Sequence, residues 1–262
     1  MISYNNIYNL PEYYDVAFSY DIKHEINIYR KIFNIHVPFE VKKILEPASG
    51  TGRFLTSFPK YGISITGYDI SNPEVDFANA KIKELKLEGM AESIVGNMES
   101  IKFERIYDAA INSINSIGYI LKDEDVLLHF INTSESIKRG GVYIIHLDFC
   151  PEKYPVVDSV NEWHCERDGI SVNITWGLSH VDIKNKLSHQ YCLLKVNDNG
   201  KHFEIKENHT LRLWFYEDLK EFIKKSHNLR IESVYNEKFE EIDRKGEITG
   251  EMGNLYFVLK VL

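Results

Sequence analysis

The sequence predicts an α/β protein with a doubly wound, mostly parallel seven-stranded sheet and an inserted antiparallel β meander. Three observations carry this expectation. Short apolar runs alternate with amphipathic segments from Val41 to Leu147. A glycine-bearing turn, Glu46-Pro47-Ala48-Ser49-Gly50-Thr51-Gly52, follows the first run, and beyond Pro151 the rhythm changes to four strand-like runs divided by turn residues. At 262 residues the chain is long enough for one large domain with a modest insertion.

The elements follow in order. Tyr4, Tyr8, Tyr13, Tyr14, Tyr20 and Tyr29 crowd the first segment, where Ile26, Tyr29, Ile32, Phe33 and Ile35 recur at helical spacing before Pro38 stops the helix. Val41 to Leu45 reads as a buried strand, Arg53 to Phe58 as a short helix halted at Pro59, and Ile63 to Tyr68 as a second strand. Asn72-Pro73 supplies an N-cap and a first-turn proline to a helix that buries Val75, Ala78, Ile82 and Leu85 and ends near Gly89. Ala91 to Val95 and Tyr107 to Asn112 are the next strands. A helix from Asp123 to Lys138 closes on Gly140-Gly141, and Val142 to Leu147 is the fifth strand. Glu162 to Cys165, Ile170 to Leu178, Leu187 to Val196 and Phe203 to Leu213 form the meander, with turns at Arg167-Asp168-Gly169 and Asn197-Asp198-Asn199-Gly200. A helix over Tyr216 to Ser226 and strands over Leu229 to Tyr235 and Leu255 to Val261 complete the sheet.

Composition narrows the function. Hydrophobic residues make up 44% and charged residues 27%, ordinary values for a globular chain. A net charge of −8 gives no general attraction for phosphate backbones or anionic membranes, which disfavours nucleic acid as a partner. No apolar run reaches roughly 18 residues, and Met1 to Tyr8 lacks a basic-then-apolar leader, so a cytoplasmic protein is expected. Cys150, Cys165 and Cys192 lack C-x-x-C spacing and read as inert thiols, and the histidines lack metal-ligand spacing, so no metal is expected.

The glycine turn carries the chemistry. Gly50 and Gly52 let backbone approach a ligand, while an acid at the strand end suits a cationic or hydroxyl-bearing ligand better than a pyrophosphate. A dinucleotide site instead wants G-x-G-x-x-G opening a helix whose positive end faces phosphate. Asp69, 17 positions after Gly52, follows the second strand and is placed to accept from two ribose hydroxyls, with Ile70 beside it. Asn97 after the third strand can hydrogen-bond an adenine edge, and Met98 can pack on the ring.

This series resembles the class I, Rossmann-like S-adenosylmethionine-dependent methyltransferases over about residues 41 to 148. The resemblance implies that Glu46, Ala48, Gly50, Gly52, Asp69, Asn97, Met98 and Ser113 bind S-adenosylmethionine, with Ala48 standing where a glycine is usual and Asn97 where Asp is commoner. Arg53 can reach the cofactor carboxylate; its alternative is an exposed first-turn cation. The run Ile111 to Tyr119, the Tyr14-Asp15 entry and Leu213-Trp214-Phe215-Tyr216-Glu217-Asp218-Leu219 are similar to small-molecule N-methyltransferases of the deoxyaminosugar and glycine or sarcosine type. In that group an N-terminal tyrosine closes over the cofactor, so Tyr14 and Tyr20 are candidates, with aromatic packing as their alternative.

The implied organisation is an N-terminal helical cap over residues 1–40, an S-adenosylmethionine-binding core over 41–150, a meander lid over 151–214 and a completing segment over 215–262. The implied function is methyl transfer to a small polar molecule at an amine. The alternatives are an S-adenosylmethionine-binding protein without transfer and a nicotinamide oxidoreductase. His146 and Tyr119 are the catalytic candidates, and Asp148 shares the strand-end face of His146. The acceptor pocket is expected to be bounded by Tyr14, Tyr119, His146 and at least one meander aromatic, while Trp163, Trp176 and Trp214 otherwise read as core.

Overall fold

A computed structural model describes residues 2–18, 20–149, 160–243 and 248–262. Cys150 and the segment boundary expected at residues 150–151 lie outside the described residues. In chain order the elements are β1 (Ile2–Asn5), α1 (Pro11–Ala17), α2 (Lys23–His36), β2 (Lys43–Pro47), β3 (Ser64–Asp69), α3 (Asn72–Glu84), β4 (Ala91–Val95), β5 (Tyr107–Asn112), α4 (Asp123–Ser136), β6 (Ile137–Leu147), β7 (Val160–Arg167), β8 (Ile170–Asp182), β9 (Leu187–Asp198), β10 (Lys201–Arg212), α5 (Tyr216–Ser226), β11 (Leu229–Asn236) and β12 (Leu255–Val261).

Seven strands form the main sheet in the order β11-β12-β6-β5-β2-β3-β4, with β12 antiparallel to both neighbours and the rest parallel. Every residue of β5 is buried, as a central parallel strand covered on both faces requires. Alternate side chains feed two cores. Leu45, Ala110, Tyr143 and Ile145 pack under α4 and α5, whereas Ile44, Ala109, Ile144 and Val258 pack under α2.

A second sheet, β1-β10-β9-β8-β7, is the meander with one added strand. Asp168 and Gly169 (φ 52° and 80°) and Asn199 and Gly200 (φ 48° and 89°) are the two-residue, left-handed hairpin turns that Asp-Gly and Asn-Gly favour. Val172, Ile174, Leu194, Val196 and Ile205 face inward against Ile7, Val16 and Ala17. The N-terminal segment is thus more than a helical cap: β1 pairs parallel with β10, and α1 packs beneath β7 and β8.

Three local expectations are corrected. Residues 51–57 form irregular turns rather than a helix, and Pro59 opens a 3-10 turn over Phe58–Tyr61 instead of halting one. Ser71, not Asn72, caps α3, its Oγ accepting from the Glu74 N–H, and α3 ends at Glu84 rather than near Gly89. The helix before Gly140-Gly141 ends at Ser136, and the chain passes straight into β6, which bulges there against β5.

That bulge leaves no room for a side chain. A Cβ on Gly141 would lie 2.3 Å from the Asp108 carbonyl oxygen and 2.9 Å from that of Lys138, and neither backbone can give cheaply. Gly141→Ala is therefore expected to destabilise the fold by about 3 kcal/mol, the upper end for overpacking. Urea unfolding should show a lower midpoint with an unchanged slope.

Candidate active site

A cavity of about 690 Å³ opens between the carboxyl ends of the central strands and the meander. Its floor is the glycine turn, where Ala48, Gly50 and Gly52 are all left-handed (φ 55°, 50° and 80°). Glycine adopts this conformation freely, so Ala48 carries strain of about 1–2 kcal/mol. Asp69 holds the turn together: its Oδ2 accepts from the Gly50 N–H at 2.9 Å and its Oδ1 from the Ser71 N–H at 3.0 Å.

The loop after β5 is strained at the same place. Ile114 and Asn115 are both left-handed (φ 48° and 56°), which for a β-branched residue costs on the order of 1–3 kcal/mol. Asn112 helps fix it, its Nδ2 donating to the Pro47 carbonyl and its Oδ1 accepting from the Ile117 N–H, both at 3.0 Å. The result presents Ser113, Asn115, Ser116 and Tyr119 to the cavity.

At the floor, Glu46 and Arg53 both line the cavity, and Glu46 Oε2 and Arg53 Nη1 are buried without hydrogen-bond partners. Burial pushes the Glu46 carboxyl well up; Arg53 opposes this, and Asp69 and Glu25 add to it. The Arg53 guanidinium lies 4.6 Å over the Tyr20 ring.

The opposite wall is aromatic. Tyr8 and Tyr119 share a hydrogen bond of 2.7 Å between their hydroxyls, and Tyr119 OH meets His209 Nδ1 at 3.0 Å. His209 stacks on Trp176 with centroids 4.7 Å apart. Trp176 Nε1 donates to Gln190 at 2.6 Å, and Trp163 Nε1 donates to the Ala17 carbonyl at 2.8 Å. Burial lowers the His209 pKa to about 4, so its ring is neutral at pH 7. Asp148 brings a carboxylate to this compartment, raised by burial. Arg212 also lines it, yet its donors are engaged by the Ile120 and Leu121 carbonyls and by Asp123.

Of the residues singled out in the sequence, the cavity brings together Tyr14, Glu46, Ala48, Gly50, Arg53, Ser113, Tyr119 and Asp148. Gly52, Asp69, Ile70, Asn97 and Met98 stand outside its walls at the ends of β2, β3 and β4. Asn97 Oδ1 accepts from the Glu99 N–H at 2.9 Å, Met98 packs on the core beneath α4, and Ile70 is exposed. Tyr20 is exposed beneath Arg53 rather than lining the space.

His146 is placed differently from the expectation. It is buried, stacked 4.1 Å from the Tyr256 ring, pushed down to about 4 by burial, and absent from the cavity wall. Trp214 is part of the main core, as read, and Trp163 and Trp176 pack against the meander core, yet all three also line the cavity. Tyr8, Gln190 and the supporting His209 escaped notice; the signal for His209 was strand alternation, which puts it on the inward face with Ile205 and Leu211.

Asp69→Ala removes two turn contacts together with the acid placed for a ribose. Cofactor affinity is expected to fall by about 1.5–3 kcal/mol in calorimetry with S-adenosylhomocysteine. An unchanged affinity would leave Asp69 only its role in the turn.

A doubly wound sheet with an acid-led glycine turn at the carboxyl end of its first core strand defines a Rossmann-like fold built to hold a ligand there. Residues 44–141 match the family described as a methyltransferase domain. The chain is similar in structure to a S-adenosylmethionine-dependent methyltransferase from Clostridium acetobutylicum ATCC 824 (TM-score 0.76, 19% identity, 98% of this chain and 99% of that one). It is similar also to S-adenosylmethionine-bound CalS10, an amino pentose methyltransferase from Micromonospora echinaspora (TM-score 0.72, 14% identity, 95% and 96%). In sequence it is 24% identical over 115 residues, 44% of this chain and 46% of the relative, to the dTDP-3-amino-3,4,6-trideoxy-alpha-D-glucopyranose N,N-dimethyltransferase of Streptomyces venezuelae. The matches to curated relatives span 44% to 66% of the relatives' own lengths. Among the described residues no helix is long and apolar enough to cross a membrane.

Proposed function

We propose that the protein transfers a methyl group from S-adenosylmethionine to an amine of a small polar molecule in the cytoplasm. The observation that carries this reading is the pair of unpartnered, buried atoms at the glycine turn, Arg53 Nη1 and Glu46 Oε2. A guanidinium and a carboxyl on one cavity wall match the carboxylate and ammonium of an α-amino acid, and the carboxyl beside the guanidinium disfavours a pyrophosphate. Arg53 would hold the cofactor carboxylate and Glu46 its ammonium, with Asp69 and Asn97 toward the ribose and adenine and Tyr14 over the glycine turn. When bound, the cofactor supplies an electrophilic methyl group on a sulfonium.

The chain's own residues then position and desolvate. An amine must be neutral to attack; Tyr119 can accept a hydrogen bond from it, and Asp148, also facing the acceptor compartment, can take its proton. The meander aromatics exclude water from the reacting centre. A small acceptor is supported by the enclosing lid and the net charge of −8, and an amine by the named activity of the Streptomyces venezuelae relative. Calorimetry with S-adenosylmethionine, S-adenosylhomocysteine and NAD tests the cofactor: micromolar binding of the first two is expected, and binding of NAD alone would overturn the reading.

A further inference from the structure

Glu74 is an acid in an unusual place. It sits in the first turn of α3, 2% exposed, and its Oε1 is buried without a hydrogen-bond partner. A Cβ placed on Gly50 would lie 3.9 Å from both Glu74 carboxyl oxygens and 4.0 Å from the Tyr14 ring, so the carboxyl stands directly behind the stretch of cavity wall that Gly50 and Tyr14 form. Among the described residues, the groups around it offer no free cation. Asp69 faces it from the end of β3 and Asp15 from α1, while Tyr8, Tyr14 and Tyr119 lie within electrostatic reach. Lys81, on the same helix, is drawn to Asp15 at 2.7 Å.

Burial, reinforced by Asp69 and Asp15, pushes the Glu74 carboxyl up to about 9, so at neutral pH it is a neutral acid. The cofactor's amino-acid end is met by Glu46 and Arg53 on another part of the wall. Glu74 instead stands where the glycine turn, Tyr14 and the acceptor side at Tyr119 converge.

We propose that Glu74 is the counter-charge for the cofactor's sulfonium: it releases its proton to solvent when S-adenosylmethionine binds and takes one back once methyl transfer has left a neutral thioether. This rests on the cofactor reading above. Its consequence is selectivity, because the substrate form of the cofactor gains an ion pair that the product form lacks, which limits product inhibition.

Calorimetry in two buffers of different ionisation enthalpy, at pH 7.5, counts the protons released by each ligand. For the wild type, S-adenosylmethionine is expected to release more protons than S-adenosylhomocysteine by up to one. In Glu74→Gln and Glu74→Met that excess should disappear, and the affinity ratio of S-adenosylmethionine to S-adenosylhomocysteine should fall about tenfold. Titration of the ligands' own amines is common to all three proteins and cancels in the comparison. Retained S-adenosylhomocysteine binding reports that each variant is folded, and Gln and Met give two independent chances of that. An unchanged proton excess and an unchanged ratio in either folded variant would overturn the proposal while leaving the cofactor reading intact. Failure of the wild type to bind either compound would overturn both.

Discussion

Replacing Arg53 with alanine is expected to weaken S-adenosylhomocysteine binding about 100-fold, on the order of 3 kcal/mol. The side chain is held over Tyr20 and Phe54, faces the carboxylates Glu25 and Glu46, and has one buried donor unpartnered toward the cavity. Taking it away leaves two acids beside the position proposed for the ligand's carboxylate, so the loss exceeds that of one hydrogen bond. The control is 5′-methylthioadenosine, which lacks the amino-acid end and should bind wild type and Arg53→Ala alike. Equal losses for both ligands would mean that Arg53 only shapes the glycine turn.

The second large effect concerns how the N-terminal segment is fastened. Asp15 is buried on α1 and accepts from Lys81 Nζ of α3 at 2.7 Å and from Arg167 Nη2 of β7 at 2.5 Å, so one carboxylate ties the main sheet's helix layer to the meander. Asp15→Ala strands two cations whose partner was buried. A cost of about 3 kcal/mol is expected, the low end for breaking a buried pair, since Lys81 and Arg167 can turn toward water. Burial raises the Asp15 carboxyl, but the two cations outweigh it and hold it below the usual carboxylate value. Because the folded value is the lower one, this stability is fully present above about pH 4 and is lost as pH falls through the folded value. Urea midpoints should therefore separate wild type from Asp15→Ala by the same margin at pH 6 and pH 8, and by less at pH 3.

The elements that were legible in the sequence are those fixed by local pattern. β4, β5, α5 and β12 begin and end where the apolar runs do, because short turns or single caps bound them. The hairpin turns at Asp168-Gly169 and Asn199-Gly200 were legible for the same reason. β1 was not: four residues, Ile2–Asn5, owe their strand to pairing with β10 about 200 positions away, and no local signal announces that. The helix expected after Gly52 fails because the chain there serves the turn that Asp69 and Gly50 build, a tertiary demand that overrides propensity. Glu74 looked like an ordinary first-turn acid favoured by the helix dipole. Its burial comes from Tyr8, Tyr14 and α1 folding over it, which the sequence does not display. The surroundings of His146 were not legible either, because the strand end alone does not reveal the Tyr256 ring stacked on it from β12.

The central proposal, methyl transfer from S-adenosylmethionine to a small amine, is tested most directly by incubating the protein with S-adenosylmethionine carrying a deuterated methyl group. A panel of primary and secondary amines, amino sugars among them, serves as acceptors, and mass spectrometry reads both products. The expected result is a deuterated methyl on nitrogen of at least one acceptor, with S-adenosylhomocysteine formed in equal amount and both lost in Arg53→Ala at cofactor concentrations that saturate the wild type. Tight binding of S-adenosylmethionine with no transfer to any amine, or label recovered only on oxygen or carbon, would contradict it.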